Sequence, residues 1–186
     1  MQNLKASNFE QSKLSFSSVY NEHKNLVYNL ALQYTQNKAD AEEITQDVFV
    51  KVHQKIHTFG ERSELKTWIY RIAINQSLDF LRSKKRAKRS FFFEAIRIDD
   101  LLNNVTVPDF NHPGVLLEDK EGMAAIFRGI NKLSDKQKTV IILLKIEQKT
   151  QAETAVIMNT SVKAIESLYQ RAKSNLGIIL KMNEGK

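Results

Sequence analysis

Apolar residues recur at spacings of three and four along most of this chain, and that period predicts helices. Phe16, Val19, Tyr20, His23, Leu26, Val27, Leu30, Ala31 and Tyr34 form the first run, which reads as one helix or two short ones. From about Asp40 a second helix is expected. Ile44, Val48, Val52 and Ile56 form its stripe, four residues apart, while Glu42, Glu43, Asp47 and Lys51 lie off it. The stretch FGERSELKT, residues 59–67, breaks the pattern with Gly60, the only glycine of the first hundred residues, and reads as a loop. A third helix then begins at Thr67. At about 100° per residue, Ile69, Ile72, Ala73 and Phe80 cluster as its core side. Arg71, Asn75, Asp79, Arg82 and Arg86 share a polar stripe, and Trp68, the only tryptophan, projects onto it.

Further along, two start signals are legible. Ser134 with Gln137 and Thr150 with Glu153 each read as a capping box, in which a hydroxyl and a side chain three residues on satisfy orphan amide donors. They predict helices over about 135–147 and 151–158, and NTS at 159–161 turns the chain into a third. In that third helix Val162, Ile165, Leu168, Ala172 and Leu176 are spaced to face a core, leaving Lys163, Ser167, Gln170, Arg171 and Ser174 outside. A short helix, a tight turn and a longer helix with a polar, basic outer face make the helix-turn-helix pattern, whose second helix enters the DNA major groove. Other helical hairpins share this outline.

Charge separates the two halves. From Arg62 to Arg89 nine basic residues stand against Glu64 and Asp79, a balance of +7 that equals the net charge of the whole 186-residue chain. From Ser90 to Glu121 the sign reverses, with seven acids against Arg97 and Lys120, and both prolines, Pro108 and Pro113, fall there. This stretch loses helical periodicity apart from a turn's worth near Asp99 to Leu102, so residues 90–116 read as a flexible acidic linker. The fold class expected is all-α, with small helical domains at 10–89 and 117–182. A basic face in each half suggests a polyanionic partner.

Composition narrows the remaining classes. With no cysteine there is no disulfide framework and no cysteine zinc site, and a reducing compartment, the cytoplasm, is the expected location. The N-terminal MQNLKASNFEQSKLS lacks the apolar core of a signal peptide. The longest aliphatic run, Val140 to Leu144, is far short of the roughly 20 residues a bilayer span needs. No membrane insertion is expected. His53 and His57 have metal-ligand spacing on a helix but no evident third ligand, so they read as surface histidines, and no metal or cofactor is expected. The adjacent acids Glu42–Glu43 and Asp99–Asp100 have no histidine or glycine-rich phosphate loop beside them, which argues against a nuclease or other enzyme. A one-component helix-turn-helix regulator is the alternative, yet it has no use for a second and stronger basic face in its other half.

These stretches together resemble the extracytoplasmic-function group of bacterial RNA polymerase sigma factors. The resemblance lies in DAEEITQDVFVKV at 40–52, TWIYRIAINQSLDFLR at 67–82, and the run from Leu133 to Leu176. It departs mildly where AETAV replaces the usual acidic residue followed by Ile-Ala, and where Asn159 takes the place of a turn glycine. The resemblance implies a non-enzymatic initiation factor that docks on core RNA polymerase, recognises −35 and −10 promoter elements and helps open the duplex. By that likeness Glu43, Gln46, Asp47 and Phe49 would dock on the clamp helices of the largest polymerase subunit. The −10 residues would be Trp68, Arg71, Asn75, Asp79, Arg82, Lys85 and Arg86, with loop 59–66 capturing a flipped base. Lys163, Ser167, Gln170 and Arg171 would face the −35 element. Family habit adds an inhibitory anti-sigma partner. Two roles stay open at this point: Asp79 either bonds a base or orients a neighbouring arginine, and Trp68 either stacks on a base or packs over the loop.

Overall fold

The first run of apolar residues becomes α1, Phe16–Thr35, in a computed structural model that describes residues 15–59, 64–95 and 120–184. Ser15 caps it by accepting the Ser18 amide, and Gln36 ends it in the left-handed region at φ 56°. Asn37 then accepts the Asp40 amide at 2.9 Å and starts α2, Lys38–Lys55. A single 3-10 turn, Ile56–Thr58, leads toward the loop. The third helix, α3, spans Leu65–Ala95, so Leu65, Lys66 and Thr67 are helical rather than loop, and the helix passes the expected boundary at residue 89. Loop residues 60–63 and residues 96–119, which hold most of the expected linker with the turn near Asp99 and the first three residues of the second expected domain, lie outside the described residues.

The second unit opens with a helix the apolar reading passed over, α4, Lys120–Lys132. It buries Phe127 and Ile130, with Leu133 just beyond its end, and crosses α7 closely at Gly129, where a Cβ would come within 2.8 Å of Leu176. Ser134 does cap α5, Asp135–Ile141, but its side chain accepts no hydrogen bond, so the expected capping box is absent. From Ile142 to Ile146 the helix widens into π turns, closed by the Glu147 amide on the Ile142 carbonyl. At Thr150 the capping box is present in both directions and opens α6, Gln151–Ile157. Asn159 takes the left-handed conformation at φ 52° in the turn, and α7 follows, Val162–Glu184. Val162, expected in the core, is 45% exposed, because at the first residue of α7 it lies ahead of the face that packs on α4 and α5.

Two cores meet at α5. Val27, Leu30, Ile44, Val48, Val52, Ile69 and Ala73 form the first, among α1, α2 and α3. Phe127, Ile130, Val140, Ile141, Ala155, Ile165 and Ala172 form the second. Ile142 and Leu143, however, belong to the first core, together with Ile157 from α6. The extra residue per π turn rotates the apolar arc, so one helix serves both cores. The units therefore pack directly on each other, which the reading of two domains on a flexible tether did not foresee. Among the described residues no helix is long and apolar enough to cross a membrane.

Candidate nucleic-acid interface

The length of α3 sets out the basic track. Lys84, Lys85, Arg86, Lys88 and Arg89 are all exposed along its second half. Among the described residues, Lys84 alone of these has an acidic partner close by, Asp40 in the first turn of α2 at 2.5 Å. Charges spaced along one helix end in this way hold backbone phosphates through counterion release. Asp79 accepts from Arg82 Nη1 at 2.9 Å, one helical turn away, which favours its orienting role. Trp68 is half-buried against the first core, its ring 5.4 Å from that of Phe59, so the only tryptophan packs at the mouth of the loop. Asn75 is exposed and lines a cavity of about 340 Å³ with Arg71, Arg82, Asp135, Met158 and Asn159.

That cavity lies between the two units, and the upper half of the track is engaged there. Arg71 donates through Nε to the Ile157 carbonyl at 3.1 Å and through Nη2 to the Val156 carbonyl at 2.6 Å. Both carbonyls are at the C-terminal end of α6, where the helix dipole favours a cation, and that of Val156 also accepts the Asn159 amide at 3.2 Å. Arg82 donates through Nε and Nη2 to Asp135 Oδ2, at 3.0 and 2.6 Å, and Asp135 holds its guanidinium charged. Tyr70 donates to Glu147 Oε2 at 2.6 Å and Gln33 Nε2 donates to Oε1 of the same carboxylate at 2.5 Å. Tyr34, fully buried, donates to Thr139 Oγ1 at 2.8 Å. Burial pushes both phenols well above their usual range, so they remain donors throughout the neutral range.

On α2, Glu43, Gln46 and Asp47 are exposed on one face, and Val50, 55% exposed, continues it at the next turn. Phe49 does not join them. It is 4% exposed, with the ring of Tyr20 at 4.8 Å and that of Phe16 at 6.4 Å, because α1 covers that side of the helix. As an exposed docking side chain, Phe49 is corrected to a core residue. Asp47 is itself positioned: Gln76 on α3 donates to its Oδ2 at 2.7 Å and accepts from Lys51 Nζ. His53 lies edge-on to Phe16 at 4.9 Å, and among the described residues no group of three acids or histidines is placed to hold a metal.

On α7, Lys163, Ser167, Gln170 and Arg171 are all exposed and fall along one side of the helix. Arg171 Nε donates back to the Ser167 carbonyl at 3.3 Å, which lays its side chain along the outer face. The capping box fixes α6, and the Asn159 turn leads into α7, which buries Ile165 and Ala172 in the second core and leaves its polar side exposed. Thr154, on α6, is fully buried with its hydroxyl unpartnered.

Sequence reasoning missed Tyr70, Glu147, Gln33, Asp135 and Gln76. A signal existed for the first: Tyr70, Ile74 and Leu78 form a second apolar stripe on α3, four residues apart, and all three are buried.

Comparison with known proteins settles which family these two surfaces belong to. Residues 19–87 match sigma-70 region 2, and residues 123–176 match sigma-70 region 4. The chain belongs to the extracytoplasmic-function group of sigma factors. It is 28% identical over 166 residues to the sigma factor SigW of Bacillus subtilis, covering 87% of each chain. To the sigma-E factor of Escherichia coli K12 it is 26% identical over 164 residues, 88% of this chain and 84% of that one. Among solved structures, the fold is shared with the sigma factor RpoE of Bartonella quintana, solved with the anti-sigma factor NepR. The TM-score is 0.60 at 23% identity, over 89% of this chain and 96% of that one. CnrH, solved with the cytosolic domain of CnrY, gives 0.61 at 20% identity, over 90% and 88%. As an alternative sigma factor the protein directs RNA polymerase to promoters, and its family comprises initiation factors. In that family frame Lys84, Lys85 and Arg86 of the basic track fall within region 2, with Lys88 and Arg89 just past its end, and Lys163 to Arg171 of α7 fall within region 4.

Proposed function

We propose that the first unit docks on polymerase through α2 and reads the −10 element through α3, while α7 reads the −35 element in the major groove. The observation that carries this is the pair of exposed polar helix faces, acidic on α2 and basic on α3, bridged by Gln76. Glu43, Gln46 and Asp47 would meet the clamp helices of the largest polymerase subunit, with Val50 in place of Phe49 as the apolar contact at their centre. Lys85 and Arg86 would hold phosphates, and Asn75 would bond an unpaired base, with Asp79 setting the arginine beside it. Trp68 would brace the loop that receives a flipped base, a role its contact with Phe59 supports. Lys163 and Arg171 would anchor backbone or guanine, and Ser167 and Gln170 would sample base edges. The cytoplasm is then its place of action, and an anti-sigma factor a natural partner, as with the relatives solved alongside NepR and CnrY.

Competition for core polymerase tests this reading. The protein should displace a housekeeping sigma factor from core enzyme in a fluorescence titration, and the resulting holoenzyme should transcribe from a distinct set of promoters in a genomic library. A chain that bound promoter DNA without core polymerase, and failed to compete, would be a one-component regulator instead.

A further inference from the structure

Gln76 is assigned above to neither polymerase nor DNA, yet its side-chain amide is tied to two charged residues of α2. We infer that Gln76 is a positioning residue for polymerase docking: it holds Lys51 off Asp47, so that the Asp47 carboxylate stands fixed and charged on α2 for a basic group of the clamp helices. The inference rests on the reading of α2 as the docking face.

Spacing alone would pair Asp47 with Lys51. They lie four residues apart on α2 with the acid toward the N-terminus, the favoured arrangement for an ion pair along one helix. A carboxylate closed in that way has already met its cation and has less charge to offer a partner. In the structure Lys51 Nζ donates to the side-chain oxygen of Gln76 instead, and Gln76 Nε2 donates to Asp47 Oδ2 at 2.7 Å. A primary amide suits both contacts, because an acceptor oxygen and a donor nitrogen share one rigid plane. A carboxylate in its place would repel Asp47, and an ammonium would repel Lys51.

Burial divides the arrangement into a held end and a working end. Gln76 is half-buried on α3, whereas Asp47 is exposed beside Glu43 and Gln46. Seven residues before Asp47, Asp40 takes the ammonium of Lys84, which lies eight residues after Gln76. These two ties, about two helical turns apart on helices that run in opposite directions, bound one groove that Glu43 also lines. Together they keep α2 from rolling on α3, so the acids of the docking face hold a constant spacing. A side chain ordered beforehand loses less freedom when its partner arrives.

Gln76→Met keeps the side-chain length and a good helix former while removing both hydrogen bonds. In a fluorescence titration of the full chain with core polymerase it should weaken binding about two- to tenfold, the scale of ordering one interface side chain. Asp47→Ala should weaken binding as well, and adding Gln76→Met to it should cost nothing further. A residue that merely held α2 on α3 would instead cost the same in both backgrounds. Lys51→Met added to Gln76→Met should recover about twofold of the loss, because it removes the competitor for the carboxylate. Thermal melts run beside the titration show that each variant is folded at the temperature used. An equal effect of Gln76→Met with and without Asp47, or no effect in either, overturns the inference, and so does a loss that Lys51→Met leaves unchanged. If Asp47→Ala alone binds core polymerase as tightly as wild type, the docking assignment of α2 falls first and takes the role of Gln76 with it.

Discussion

Tyr70, in the first sigma unit, donates a 2.6 Å hydrogen bond to the carboxylate of Glu147 in the second, and neither residue is assigned to polymerase or DNA. The phenol is 3% exposed, so its loss leaves the carboxylate with Gln33 alone in a partly dry site. Tyr70→Phe should cost about 1.5–3 kcal/mol, the range for hydrogen bonds to charged groups. Urea unfolding followed by circular dichroism checks this, and an unchanged midpoint would count against the bond.

Phe49 and Asp47, two residues apart on α2, should behave oppositely. Phe49→Ala empties a site under the rings of Phe16 and Tyr20, and should destabilise the first unit by about 3–5 kcal/mol. Asp47→Ala should leave the melting temperature nearly unchanged and weaken binding to core polymerase. A fluorescence titration with core enzyme, run beside thermal melts, separates the two effects.

Thr154 buries a hydroxyl with no partner on α6. Thr154→Val keeps the shape and removes the unsatisfied group, so stability should rise by about 1–3 kcal/mol. Calorimetry of both proteins at one pH and salt measures it directly.

Hydrogen bonds from the Thr150 amide and hydroxyl hold Glu153 below its ordinary pKa of 4.5. The folded state thus binds its proton less readily than the unfolded chain does. The capping contribution is present above pH 4.5 and is lost as pH falls through the lowered folded value. Glu153→Gln should flatten the acid side of the stability profile, below the ordinary carboxylate value, and a profile parallel to wild type would show that the box does not act this way.

On α7, exposed Lys163 should act through charge. Lys163→Ala should weaken binding to all −35 sequences nearly equally and lower the salt slope by about one. Ser167→Ala and Gln170→Ala should instead change which −35 sequences are selected from randomised DNA. Selection logos identical to wild type would remove both as readers.

Much of this was legible in the chain because helical burial is periodic. The Ile44, Val48, Val52 stripe, the Thr150 capping box, the Asn159 turn and the Ile165, Ala172 face all stand where the spacing put them. Helix α4 had the same signal in Met123, Ile126, Phe127 and Ile130, but it starts inside the acidic stretch and was masked by it. Phe49 misled because it neighbours Val48, and only the cover of α1 widens the buried arc enough to include both. The π turns at Ile142–Ile146 leave no mark on residue types, since they arise where one helix must satisfy two cores. Contacts such as Arg71 with the end of α6 join residues 85 and 86 positions apart, and no local pattern specifies them.

The central claim is that α3 captures unpaired −10 bases with Asn75 beside a basic track, and permanganate reactivity of promoter thymines in reconstituted holoenzyme tests it most directly. Asn75→Ala should lower thymine reactivity in the −10 region well below wild type while closed-complex binding, read by gel shift, stays nearly the same. Exchanging loop residues 60–66 for those of a relative should move the preferred base at one −10 position and leave the −35 preference intact. Normal melting by Asn75→Ala, with a −10 preference indifferent to the loop, would contradict the account.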